Sequence, residues 1–173
     1  MIRVSPELPV VILRACFDEA ERAYPRESCG LLSGPKVGGV IDAVRICEND
    51  QDRLHAKDPV EFARDGRTAY RLPFVDVCWL LDSLATDQPV QIVFHSHVEV
   101  GADFSSEDRA AALGFGPPFG QIDHLVIDVG KAGVRGAVLY RFTAGEFVRA
   151  AEYDEAGQTR AVSVVSTRQQ NDY

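Results

Sequence analysis

Cysteine is sparse and scattered: four residues, Cys16, Cys29, Cys47 and Cys78, with no C-x-x-C pair among them. In a chain of 173 residues this spacing excludes a dense disulfide framework and speaks against a thiolate zinc site; it points to reduced, mostly buried thiols. The opening MIRVSPELPVVIL has one arginine and an apolar run broken by Pro6, Glu7 and Pro9, so it lacks the layout of a signal peptide. No apolar stretch approaches the roughly 20 residues that a membrane-spanning helix needs. Positive charge is also short, 18 Lys and Arg against 26 Asp and Glu for a net −8, which disfavours nucleic acid and anionic membranes as partners. Repeats and low-complexity segments are missing. With 46% hydrophobic and 25% charged residues, the composition is that of an ordinary globular protein, expected to be cytoplasmic and to act on small molecules or other proteins.

Ser5 and Pro6 make a plausible helix start, and Leu8, Val11, Ile12, Ala15, Cys16, Ala20 and Ala23 recur at helical spacing, which predicts a helix over residues 6–24 that Pro25 ends. A hairpin is expected over 28–47 around the turn GPKVGG, followed by a polar, irregular stretch over 48–59. Helices are expected over 59–70 and 73–85, the second with Phe74, Val77, Cys78, Leu81 and Leu84 on one face. PVQIVF reads as a buried strand and SSEDRAAALGF as a helix, GPPFG as a loop, and IDHLVIDV, VRGAVLYRF and EFVRAAEYD as strands joined by short turns, with AVSVVS as a last strand. The order implies an α/β fold with a mixed β-sheet flanked by helices.

Two of only four histidines, His95 and His97, stand at the end of PVQIVF. Side chains two apart in a strand share a face, so both rings can address one ion. A catalytic zinc commonly has three protein ligands and one open position, which leaves one ligand to find among Glu99, Asp103, Glu107 and Asp108. Asp108 sits three residues after Ser105, on one helical face; the same Ser-x-x-Asp spacing also describes a helix capping box that needs no chemistry. His124 is expected to be a hydrogen-bonded core histidine, His55 a solvated loop residue, and Cys29 a small packed hydrophobe.

His95-Ser96-His97, then Ser105 and Asp108, is similar to the H-x-H-x7-S-x-x-D signature of the JAMM (MPN+) zinc metallopeptidases. PRESCGLLSG, residues 25–34, resembles the segment that carries their catalytic glutamate, here Glu27. Asn49, Arg53 and Asp58-Pro59 add a looser likeness to stand-alone bacterial members, so the resemblance covers residues 1–150, with 151–173 as a C-terminal strand and polar tail of the same domain. It departs from them at Val98 and Phe104, where bacterial members usually have proline.

The resemblance implies an MPN/JAMM-like (cytidine deaminase-like) fold, Zn2+ held by His95, His97 and Asp108, Glu27 as general acid and base, and Ser105 as oxyanion donor. It further implies a substrate, the Gly-Gly C-terminus of a ubiquitin-like or sulfur-carrier protein, cut at a peptide or isopeptide bond. Two other readings stay open: an Fe(II) oxygenase with the same two-histidine, one-carboxylate set, and a non-catalytic MPN scaffold.

Overall fold

A proline decides where the first helix starts. The residue before proline avoids helical backbone, so Leu8 stays outside the helix and α1 runs Val10–Ala23 with Pro9 at its N-cap, four residues later than the spacing predicts. Glu7 instead bridges Val40. The computed structural model describes residues 7–37, 39–114 and 122–160; Ser5, Pro6, the GPPFG loop and AVSVVS lie outside them. α1 buries Ile12, Leu13, Cys16, Phe17 and Ala20, one stripe at helical spacing.

The expected hairpin forms as β1 Cys29–Ser33 and β2 Ala43–Cys47. Then follow α2 Gln51–Lys57, α3 Phe74–Ser83, β3 Val90–Val98, α4 Ser106–Gly114, β4 Asp123–Gly130, β5 Gly133–Thr143, β6 Glu146–Tyr153 and β7 Thr159–Arg160. The strands make one sheet in the order β2-β1-β3-β4-β5-β6-β7. Among the described strands only β3 and β4 run parallel, and both are almost wholly buried, as continuous apolar runs in a sheet centre should be. This single mixed sheet is not the jelly roll of an oxygenase. Gly30 permits the tight β1–β3 packing, because a Cβ there would collide with the Phe94 ring and the Arg45 carbonyl.

One sheet face carries Leu32, Ile92, Phe94, Leu125, Ile127 and Leu139 beneath α1. The other is divided. Cys29, Leu31, Cys47 and Val93 pack with Leu80 of α3, while Val126, Val138, Tyr140, Phe104 and Phe147 pack with Ala112 of α4. His95 pairs in register with Cys29 on one side and Val126 on the other, so it stands on the seam between these two clusters.

Three expectations fail for identifiable reasons. Residues 59–70 form turns, not a helix, because aspartates take up the backbone amides: Asp58 Oδ1 accepts from Val60 and Glu61, Asp65 Oδ1 from Arg67, and Asp52 Oδ1 from Gly66. The polar stretch before it contains α2 instead, where His55 Nδ1 lies 2.6 Å from the Phe62 carbonyl rather than in solvent. α3 is rotated from its apolar stripe. Asp76 accepts from Arg45 of β2 at 2.7 Å, which turns Asp76, Leu80 and Ser83 inward and leaves Phe74 82% exposed. Among the described residues no helix is long and apolar enough to cross a membrane.

His124 is buried as expected, but by aromatic rings rather than by a bond at Nδ1, which has no partner. Phe104 and Phe147 lie 5.1 and 5.3 Å from its ring, and burial pushes its pKa down to about 3. Because the unfolded chain takes up that proton near pH 6.5, the native state is fully favoured above that pH and loses ground as pH falls towards 3. The slope is at most about 1.4 kcal/mol per pH unit. His124→Phe keeps the ring packing and removes the slope: from pH 7 to pH 5, urea unfolding in chelator should shift by about 2 kcal/mol in favour of the variant. An unchanged difference would mean that His124 is not held neutral.

Candidate metal centre

Strand alternation sets the first two groups. Ile92 and Phe94 point under α1, so Val93, His95 and His97 point to the divided face. α4 supplies the third through its cap. Asp108 N–H donates to Ser105 Oγ at 3.0 Å, Ser105 N–H donates back to Asp108 Oδ2 at 2.9 Å, and the Ser105 hydroxyl donates to the same oxygen at 2.6 Å. The carboxylate fixed in this way meets both rings: Oδ1 lies 3.3 Å from His95 Nε2, Oδ2 lies 3.2 Å from His97 Nε2, and the two Nε2 atoms are 3.1 Å apart. Capping and convergence on the histidines are thus one geometry, not alternatives. Among the described residues this is the group of histidines and acids able to hold a metal ion.

The other acids weighed from sequence are occupied elsewhere. Glu99 accepts from Tyr24, the Lys131 amide and Arg135; Asp103 pairs with Arg149; Glu107 pairs with Arg64.

Burial raises a carboxyl's pKa, yet at Asp108 it is outweighed by hydrogen bonds and charge from the two histidines, which hold the group far below the ordinary carboxylate range. At His95 burial dominates and lowers the pKa, favouring the neutral ring. At His97 burial acts the same way, but Asp108 overrides it and raises the pKa. The Gly101 carbonyl, 3.2 Å from His97 Nδ1, accepts that nitrogen's proton and so leaves Nε2 as a lone pair in the neutral ring. Tyr70 stacks on His95 at 4.4 Å and 18°, closing the ring against the loop after α2.

Glu27 arrives from the other side by register. β1 and β3 are antiparallel with Cys29 opposite His95; the pairing continues through Ser28, which donates its N–H to Ser96 Oγ at 2.8 Å, and brings Glu27 level with His97. Its backbone is clamped, the N–H donating to the Gly66 carbonyl at 2.7 Å and the C=O accepting from Asn49 Nδ2 at 2.9 Å. Its side chain is 6% exposed and its carboxylate has no hydrogen bond from any described residue. Desolvation pushes its pKa up to about 7, against the lowering influence of His97. Glu27, His97, Ser105 and Asp108 share a cleft of about 650 Å³.

The family model for prokaryotic homologs of the JAB domain matches residues 9–140. The chain belongs to this family. No curated protein matches it in sequence. Solved structures of proteins from Desulfitobacterium hafniense and Salinibacter ruber are each 18% identical to it over 83% of this chain and 88% of theirs, with TM-scores of 0.56 and 0.54. At that identity they share its fold. A JAB1/MPN domain protein from Archaeoglobus fulgidus is 19% identical over 92% of this chain and 97% of its own, with a TM-score of 0.43. The JAB/MPN family includes zinc metalloproteases as well as members without catalysis.

Within this JAB homologue the two departures from bacterial prolines have separate outcomes. Val98 simply ends β3, whereas Phe104 is 9% exposed and packs on Tyr140 and Phe147 at 5.2 and 4.8 Å, so burial anchors the loop. Cys29 is fully buried with its pKa raised well above that of a free thiol, an inert packing residue.

Sequence reasoning gave no structural role to two residues that hold the site in shape, although Asn49 belongs to the looser likeness to bacterial members. Tyr70 carries no local signal. Asn49 uses its whole amide: Nδ2 donates to the Glu27 and Ala69 carbonyls, and Oδ1 accepts from the Gln51 and Arg71 amides. Asn49→Ala strands two carbonyls and two amides, so it should lower the free energy of unfolding by about 1–3 kcal/mol in urea titrations. An effect under about 0.5 kcal/mol, ordinary for a surface change, would show that Asn49 is not a clamp.

Proposed function

We propose that the protein is a zinc-dependent peptidase that hydrolyses the bond following the Gly-Gly end of a ubiquitin-like or sulfur-carrier protein. The observation that carries this reading is a cleft lined by His97 and Asp108, with the buried His95 ring converging on both from behind, beside a buried carboxylate, Glu27, that accepts no hydrogen bond from any described residue. A buried polar group without a partner costs stability, so a scaffold would have no use for it.

The donor set fits zinc. Two imidazoles and a carboxylate are a known catalytic combination, and two atoms each about 2.05 Å from a tetrahedral ion stand roughly 3.3 Å apart. The two histidine nitrogens stand 3.1 Å apart, and Asp108 turns one oxygen to each ring, Oδ1 at 3.3 Å from His95 and Oδ2 at 3.2 Å from His97. His95 Nε2, His97 Nε2 and Asp108 would hold the ion. Bound there, zinc supplies Lewis acidity, lowering a water's pKa to about 7 and polarising the scissile carbonyl.

Glu27, poised near neutrality, takes a proton from the attacking water and later gives it to the nitrogen that leaves as the C–N bond breaks. The Ser105 hydroxyl, turned to Asp108 at rest, rotates about χ1 to donate to the developing oxyanion, while its backbone N–H keeps Asp108 in place. Glycines on the substrate fit the reading because, without Cβ atoms, their backbone can come close to the ion. The resemblance to bacterial carrier-trimming members favours a peptide bond over an isopeptide bond, and four free cysteines fit a cytoplasmic place of work.

The test is zinc-loaded protein against a peptide extended beyond Gly-Gly, with products read by mass. Wild type should cut after the second glycine. Glu27→Gln should retain about one zinc and lose about 10²–10⁴-fold in kcat, whereas Asp108→Ala should lose the metal itself. Full activity in Glu27→Gln would overturn the assignment of the base.

A further inference from the structure

The cleft gathers three arginines among its carboxylates, Glu61 and Glu107 included, in a chain whose balance is acidic. Arg64, Arg67 and Arg71 line the same cavity as Glu27, His97, Ser105 and Asp108. Elsewhere arginines are largely engaged: Arg22, Arg26, Arg45, Arg53, Arg135 and Arg149 each hold a carboxylate. Arg64 also pairs, with Glu107 at 2.9 Å. Arg67 and Arg71 hold no carboxylate among the described residues, and the Arg71 guanidinium lies over the Phe62 ring at 5.5 Å.

The wall is built rather than loose. Gln51, 5% exposed, donates to the Arg64 carbonyl at 2.7 Å; Asp52 accepts from the Gly66 amide at 2.7 Å; Asn49 binds the Ala69 carbonyl and the Arg71 amide at 3.0 Å each. The backbone carrying the arginines is thus tied to the residues that position Glu27, while Arg67 and Arg71 are exposed residues of the cleft lining. Guanidinium forks recognise carboxylates in bidentate fashion.

We propose that Arg67 and Arg71 form a carboxylate subsite that holds the part of the substrate lying next to the scissile bond. This rests on the hydrolytic reading of the centre and narrows its substrate class. A carboxylate can come from the free C-terminus of a released residue or from an acidic side chain beside the bond. A free C-terminus makes the protein a trimming enzyme; a folded protein joined through an isopeptide bond offers none there.

The experiment measures binding by calorimetry to zinc-loaded Glu27→Gln, which removes turnover from the readout. Three synthetic peptides are compared: one ending Gly-Gly-Ala with a free carboxylate, the same peptide as its C-terminal amide, and an amide ending Gly-Gly-Glu. The free acid should bind about 10-fold or more tighter than the plain amide, the range for hydrogen bonds to charged groups. Adding Arg67→Ala and Arg71→Ala should erase that preference, Arg71→Lys should keep part of it, and salt should narrow it. Tight binding of the Gly-Gly-Glu amide would assign the subsite to acidic side chains. Equal binding of all three peptides, no binding of any, or a preference that survives the double arginine substitution would overturn the proposal. Wild-type protein that leaves these peptides uncut, while Glu27→Gln still prefers a carboxylate, would instead count against hydrolysis and leave the subsite standing.

Discussion

Two imidazole nitrogens and a carboxylate meet at 3.1–3.3 Å in a place that water hardly reaches, and much of the surrounding structure exists to hold them there. Left without a cation, the arrangement is unfavourable. A neutral His97 whose Nδ1 proton goes to Gly101 turns its Nε2 lone pair towards the Asp108 carboxylate, 3.2 Å away, and Asp108 keeps its charge in spite of burial. A divalent ion among these atoms removes both conflicts at once. The fold supplies what such a site requires: β3 at the buried centre of the sheet fixes two ligands, and the N-terminus of α4 fixes the third.

Economy at the helix start is the main structural idea. Ser105 and Asp108 satisfy each other's backbone amides, and the same bonds orient the carboxylate towards the histidines. Loss of either residue therefore disturbs helix and centre together. On the opposite side, the continued β1–β3 register and the Asn49 amide do for Glu27 what the cap does for Asp108. Asn49 also grips the loop bearing Arg71, so the base and the cleft wall are parts of one hydrogen-bonded frame.

Much of the site was legible because its parts follow local rules. Strand alternation put His95 and His97 on one face, and the Ser-x-x-Asp spacing marked a helix start, which is where Asp108 stands. The mixed sheet and most of its strands followed from apolar runs and turns. What escaped depended on contacts distant in sequence. Residues 59–70 look helical by spacing, but aspartates as far away as Asp52 divert their amides. The face of α3 was set by an ion pair with Arg45 rather than by its apolar stripe. The stacking of Tyr70 on His95 joins residues 25 positions apart and leaves no pattern in either segment.

X-ray absorption at the zinc edge of the reconstituted protein reads the ligands of the ion directly. With His95, His97 and Asp108 as ligands, the spectrum should show nitrogen and oxygen at about 2.0–2.1 Å, with the outer scattering of two imidazoles, in a protein holding about one zinc per chain. Sulfur scattering at about 2.3 Å would place the ion on cysteine instead, and a folded protein that retains no zinc would contradict the assignment of His95, His97 and Asp108 as its ligands.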